Sequence, residues 1–219
     1  MEKRKALVLG ATGLIGREVV NMLIAHDQYE RVTVLVRRKL DITHPKLIQV
    51  TADFDRLEQN SEAFRVDDVF SCLGTTIKTA KTKENFKKVD HGYTIKAAEL
   101  AAGQGTSNFL TVSAIGADSK SMFFYNKVKG MVEDDLKKLS FKAVHVFQPS
   151  LLLGDRSEFR RGEKFAESFS TKLPFLFTGP LRKYRPISGR QVASRMVEKA
   201  LQNKKGYFVH RSDELQNGG

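Results

Sequence analysis

Short apolar runs alternate with longer stretches of helical periodicity along nearly the whole chain. KALVLG (5–10) reads as a strand. Behind it, Ile15, Val19, Met22, Leu23 and His26 recur at helical spacing in LIGREVVNMLIAHD and predict the first helix. VTVLV (32–36), KLIQV (46–50) and DDVFSCL (67–73) read as the next three strands. A helix over VDHGYTIKAAELAAGQG (89–105) is stopped by its glycines. SNFLTVSAIG (107–116) gives a fifth strand, YNKVKGMVEDDLKKLS (125–140) a helix, and KAVHVFQP (142–149) a sixth strand. A helix at about 189–203 and a short strand, GYFVH, complete the pattern.

Parallel neighbours need crossover connections, which the intervening helices supply. The pattern therefore predicts α/β architecture: a doubly wound, Rossmann-type parallel sheet with helices on both faces. Residues 1–219 are expected to form one such domain, with a small C-terminal extension and a substrate-side loop at about 150–186. No linker, repeat or low-complexity segment interrupts it, and only the terminal DELQNGG reads as frayed.

Composition narrows the class. Of 219 residues, 41% are hydrophobic and 28% charged, the balance of a soluble globular protein. Apolar runs such as LLL (151–153) are far too short to enter a bilayer, so no membrane insertion is expected. MEKRKALVLGATG lacks the long apolar region and cleavage site of a signal peptide, and the expected location is cytoplasmic. Cys72 is the only cysteine, which excludes an intrachain disulfide, and its apolar setting predicts an inert thiol. The five histidines show no ligand spacing, so no metal site is expected. The net charge of +12 favours anionic ligands. Its local clusters, KRK (3–5), RR (37–38), IKTAKTKENFKK (77–88) and RKYR (182–185), lack interleaved aromatics. A nucleic-acid partner is allowed by charge but not favoured by pattern.

Two groups of residues carry chemistry. GATGLIG (10–16) follows the first strand and opens the first helix, the setting a pyrophosphate loop requires. Gly10 would make the turn, Gly13 would admit the pyrophosphate, and Gly16 would let helix and strand pack closely. With Ala11, Thr12, Leu14 and Ile15 they form the expected cofactor loop, backed by the positive end of the helix dipole. The second strand ends in Arg37-Arg38, and no acid follows until Asp41, which favours NADP(H) over NAD(H). Asp53 could accept from an adenine amino group or serve as a turn residue. Cys72, Leu73, Gly74 and Thr75 are expected to pass over the cofactor, and the backbone of Pro149 and Ser150 to face the nicotinamide. Asp90 reads as a helix-start residue; Lys78, Lys81 and Lys83 could rim the cleft and favour anionic substrates, but read more readily as a solvated loop.

The second group is Ser113, at the end of the fifth strand, with Tyr125 and Lys129 on the following helix. Ligands bind beyond the carboxyl ends of parallel strands, where Ser113 shares an edge with the glycine loop. The i,i+4 spacing puts Tyr125 and Lys129 on one helical face.

Ser113 with the YxxxK of Tyr125 and Lys129 resembles the site of the short-chain dehydrogenase/reductase superfamily. More closely, the chain resembles its atypical branch of small Tat-interacting-protein-type oxidoreductases. GATGLIGREVV, FKKVDHGYTIKAAELAAGQGTSNFLTVSAIGADSKSMFFYNKVKGMVE and PSLLLGDRSEFRRGE carry the likeness, from residue 10 to about 163. The chain departs from the family where Gln148-Pro149-Ser150 replaces a frequent Arg-Pro-Gly and Ala114-Ile115 replaces a polar pair.

The chemistry that follows is reduction of a small carbonyl compound. Tyr125 would give a proton to the carbonyl oxygen. An unperturbed tyrosine titrates near ~10, and a neighbouring Lys129 would favour the phenolate. Ser113 would orient the substrate oxygen, and the resemblance implies that Lys129 also binds the nicotinamide ribose. Two alternatives share these features: a dinucleotide-sensing regulator with a protein or nucleic-acid partner, and a nucleotide-sugar epimerase. The first has no need of a proton donor, and the second would need more than the roughly seventy residues after Pro149. A homodimer is compatible with the sequence, and the substrate loop, with Phe165, Phe169, Phe175 and Phe177, names no particular ligand.

Overall fold

The computed structural model describes residues 3–153 and 184–216. Its elements run in the predicted alternation: β1 (Arg4–Leu9), α1 (Leu14–Ala25), β2 (Tyr29–Val36), β3 (Leu47–Thr51), a 3₁₀ run (Phe54–Phe64) and β4 (Asp68–Ser71). Short helices α2 (Ile77–Ala80) and α3 (Lys83–Lys87) then lead through a π-helical turn (Lys88–Tyr93) into α4 (Thr94–Gly103). β5 (Asn108–Val112), α5 (Phe124–Leu136), β6 (Ala143–Gln148) and β7 (Leu152–Leu153) follow. After residues 154–183 come β8 (Ile187–Ser188), α6 (Gly189–Leu201), β9 (Gly206–Arg211) and α7 (Ser212–Gln216).

Seven strands form one sheet in the order β3-β2-β1-β4-β5-β6-β9, with every pairing parallel. Alternate strand residues point to opposite faces, and this sorts the core into two halves. Ala6, Val8 and Val34 join Val19, Leu23 and Met196 of α1 and α6 on one face. Leu7, Leu9, Leu35 and Phe109 join Ala97, Ala101, Val132 and Leu136 of α4 and α5 on the other. Among the described residues no helix is long and apolar enough to cross a membrane.

The fourth and fifth strands end earlier than their apolar runs, at Ser71 and Val112. Both runs continue as loops that leave the sheet at its carboxyl edge. Helices α2 and α3 escape the periodicity because they are short and lysine-rich, held by local caps from Thr76 and Thr82 to the N–H groups of Thr79 and Asn85.

At the opposite, amino-terminal edge a buried polar cluster ties four strands, β1, β2, β4 and β5. Asp68 accepts from Arg4 at 2.7 and 2.6 Å, from Tyr29 at 2.8 Å and from Asn108 at 2.7 Å. Asn108 also donates to the Ala200 carbonyl at 3.1 Å, linking the cluster to α6. Arg4→Ala leaves this carboxylate buried without its cation, and folding stability falls by about 3 kcal/mol or more in urea denaturation. An unchanged midpoint would show that the pair contributes nothing net.

Candidate active site

Strand order reverses beside β1, where the chain leaves to β2 on one side and later to β4 on the other. Leu9 is level with Leu35 and with Ser71, so Gly10, Arg37 and Cys72 emerge close together at the carboxyl edge. Gly10 has φ +74°, a left-handed conformation that disfavours side chains. A Cβ there would stand 2.4 Å from the Cys72 carbonyl oxygen, and one at Gly16 would stand 2.2 Å from the Gly10 oxygen. The loop closes on itself through Gly13 N–H to Gly10 O at 3.0 Å. No side chain caps α1 at Gly13, which leaves its first-turn N–H groups for an anion. These residues fit a dinucleotide pyrophosphate. Thr12 and Gly13 are exposed beside it, while Ala11 and Ile15 are core residues and Leu14 packs on Gly189.

Arg37 and Arg38 lie just past β2, both exposed, with no hydrogen-bond or ion-pair partner among the described residues. Asp53 is exposed at the end of β3 and caps the 3₁₀ run, its Oδ1 accepting from Asp55 N–H at 2.9 Å. Its turn role is therefore realised, and one carboxylate oxygen is left over.

Beyond β4 the chain passes Cys72, Leu73, Gly74 and Thr75 over the same edge. Burial pushes the Cys72 thiol up to about 12, so it stays protonated and unreactive. A Cβ built at Gly74 would meet Asp90 Oδ1 at 3.5 Å and Lys129 Nζ at 3.8 Å. Asp90 sits in the π-helical turn, a distortion common at functional sites. Its carboxylate accepts from Thr75 N–H at 2.8 Å and pairs with the Lys129 ammonium at 2.7 Å. Both side chains are nearly inaccessible, 1% and 7% exposed, which makes this a buried ion pair. Burial, the largest single influence, presses the Lys129 pKa down. Asp90, Tyr125 and, more weakly, Glu133 together outweigh it and hold the lysine above its ordinary value.

One turn before Lys129 on α5, Tyr125 is 37% exposed, the accessible member of the pair. Its ring leans on Phe86 at 5.6 Å between centroids, and its hydroxyl has no hydrogen-bond partner among the described residues. Ser113 is buried just past β5, its Oγ 2.5 Å from Glu133 Oε1 on α5. Gln148, at the end of β6, donates to both oxygens of the same carboxyl group at 2.9 and 3.1 Å.

Helix α5 is itself tightly seated. The segment before it crosses Gly130 so closely that a Cβ there would lie 2.1 Å from Ser119 N. Ser119 Oγ also donates to Asp134 at 2.6 Å.

Other expectations meet mixed outcomes. The Pro149 carbonyl accepts from Ile115 N–H at 3.0 Å and Ser150 N–H donates to Ser212 Oγ at 3.1 Å. Those two backbone groups are thus each engaged in one hydrogen bond inside the protein. Asp90, which reads in the sequence as a helix-start residue, is the counter-ion of Lys129. Glu133 is a site residue that the sequence pattern does not single out, although Tyr125, Lys129 and Glu133 at i, i+4 and i+8 share one helical face. Phe165, Phe169, Phe175 and Phe177 lie outside the described residues.

A glycine cradle at the reversal point of a parallel sheet, with a tyrosine–lysine helix beside it, defines a nicotinamide-dinucleotide-binding fold. A sequence family described as NAD(P)H-binding matches residues 10–170. The chain belongs to that family, as an atypical short-chain dehydrogenase/reductase of the type represented by protein HTATIP2. Protein HTATIP2 of Rattus norvegicus is 38% identical over 178 residues, 80% of this chain and 73% of the rat protein. Protein FMP52-1, mitochondrial, of Scheffersomyces stipitis is 33% identical over 207 residues, 90% of this chain and 88% of that protein. Among solved structures, gox2181 matches with a TM-score of 0.73 at 16% identity, covering 98% of this chain and 96% of its own. A UDP-N-acetylglucosamine 4-epimerase from Methanobrevibacter ruminantium matches at 0.72 and 14% identity, over 96% of this chain and 77% of its own. At such identities the likeness is one of fold.

The cytoplasmic expectation is overturned, because relatives across 90% of the chain are named mitochondrial. Compartment is set by addresses that receptors read, about which composition and fold carry no information.

Proposed function

We propose that this protein is an NADPH-dependent reductase of small carbonyl compounds. The observation that carries the reading is the buried Lys129–Asp90 pair, one helical turn behind an accessible Tyr125, at the edge that holds the glycine cradle. A bound reduced dinucleotide would supply hydride there. The Tyr125 hydroxyl donates a proton to the carbonyl oxygen as negative charge builds on it. Lys129 places a fixed positive charge behind that phenol and offers N–H groups to a ribose. Asp90 keeps the ammonium in place, and its tie to Thr75 fixes the β4 loop over the same spot. Ser113 orients the substrate oxygen.

The test is a panel of aldehydes and ketones scored by NADPH consumption, after binding is established from nicotinamide fluorescence. Turnover of at least one carbonyl supports the reading, whereas tight NADPH binding with no turnover across the panel defeats it. The preference for NADPH over NADH rests on Arg37 and Arg38, exposed and free to pair with a 2′-phosphate. Replacing both by Ala weakens NADPH binding about 10- to 100-fold, the ratio set by ~1.5–3 kcal/mol of charge-assisted hydrogen bonding. NADH binding stays as it was. Equal losses for the two cofactors would remove the arginines from the choice.

A further inference from the structure

Glu133 is the one ionisable side chain of this site that the proton-donor scheme leaves without a task. It is buried on α5, one turn beyond Lys129 and two beyond Tyr125. Its Oε1 lies 2.5 Å from Ser113 Oγ, and Gln148 Nε2 donates to both of its oxygens. An ionised carboxylate taken out of water ordinarily needs a cation beside it. Glu133 makes no ion pair among the described residues: the Lys129 ammonium is held by Asp90 and that of Lys137 by Asp134.

Around it, α5 contributes Lys129, Asp134 and Lys137 as charged groups, the last two with opposing effects on the carboxyl. From β9, Tyr207 gives its hydroxyl to the Glu133 backbone carbonyl at 3.0 Å rather than to the side chain. From β6 and the segment after β5 come only the neutral Gln148 and Ser113. Burial outweighs the hydrogen bonds from Ser113 and Gln148 and pushes the Glu133 carboxyl above the usual carboxylate range.

The consequence lies in the direction of one hydrogen bond. A serine hydroxyl has a single proton to give. Facing an ionised Glu133, which can only accept, Ser113 commits that proton to the helix and turns lone pairs alone toward the crevice. Facing a protonated Glu133, Ser113 accepts the acid's O–H and has its own proton free for an oxygen gaining negative charge. Only the second arrangement helps carbonyl reduction.

We propose that Glu133 is held protonated and is a positioning residue, which orients the Ser113 hydroxyl as a donor toward the substrate oxygen. Its catalytic meaning rests on the reductase reading, but the proton itself can be observed without substrate. Infrared difference spectroscopy of the full chain at neutral pH, with no ligand added, reads the C=O stretch of a protonated carboxylic acid. The expected band is lost in Glu133→Gln, which is nearly isosteric and keeps a partner for Gln148. It is displaced in Ser113→Ala, where the acid loses the acceptor of its O–H. It is lost again in Gln148→Arg, whose guanidinium supplies the missing cation and ionises the carboxyl.

No band in the wild type, a band that survives Glu133→Gln, or one unmoved by Ser113→Ala would each overturn the proposal. Circular dichroism confirms that each variant is folded, and the absence of a wild-type band overturns the proposal even if one is not. Should the chain reduce no carbonyl, the function fails while this result stands, so the two ideas fall separately.

Discussion

Tyr125→Phe lowers kcat for carbonyl reduction by about 10²- to 10⁴-fold, the loss that follows removal of a positioned proton donor. The change deletes one oxygen. The ring remains, and with it the contact with Phe86 at 5.6 Å. The hydroxyl has no hydrogen-bond partner among the described residues, so its loss strands no buried group and costs the fold little. Dinucleotide affinity, which depends on the glycine cradle and the lysine, is retained. Steady-state rates at saturating NADPH, with fluorescence titration of the cofactor alongside, separate the two quantities. A variant that binds NADPH and still turns over at the wild-type rate removes Tyr125 from the chemistry.

Asp90→Ala has the largest expected effect on stability. It leaves the Lys129 ammonium in a nearly closed pocket without its counter-ion, and breaking a buried pair in this way costs about 3–5 kcal/mol. The Thr75 N–H loses its acceptor at the same time. The decisive comparison is Asp90→Ala with Lys129→Met, which removes both charges. Urea denaturation should show the double variant recovering much of the lost stability, while carbonyl reduction stays absent because the lysine has gone. If Asp90→Ala alone is as stable as the wild type, the pair is not buried in the way described. The sign with pH is fixed by the lysine. Its folded pKa lies above the unfolded one, so its stabilisation is complete below the ordinary lysine pKa and is lost as pH rises past the folded value.

The features legible in the sequence are those written into local spacing. GATGLIG is readable because a Cβ at Gly10 or Gly16 would run into backbone, so the glycines themselves announce the loop. Tyr125 and Lys129 are readable because a helix converts four residues of separation into a shared face. Asp90 is illegible for the opposite reason. Its partner is 39 residues away, reached through a π-helical turn that no periodicity reports. Glu133 had the right spacing, but its importance depends on Ser113 and Gln148 arriving from two different strands. Helices α2 and α3 are hidden in a lysine-rich stretch whose only signals are two threonine caps. Residues far apart in sequence meet through tertiary packing, and their meeting leaves no mark in either neighbourhood.

The crossing at Gly130 works as a latch. With no room over Gly130 even for a Cβ, α5 is seated closely against the segment that precedes it, and that contact helps set where phenol, ammonium and acid stand. Changes among residues 117–121 would reset all three together. Natural variation in that stretch, though it touches none of the three groups directly, is where relatives of this chain could drift apart in reactivity while still holding the same dinucleotide.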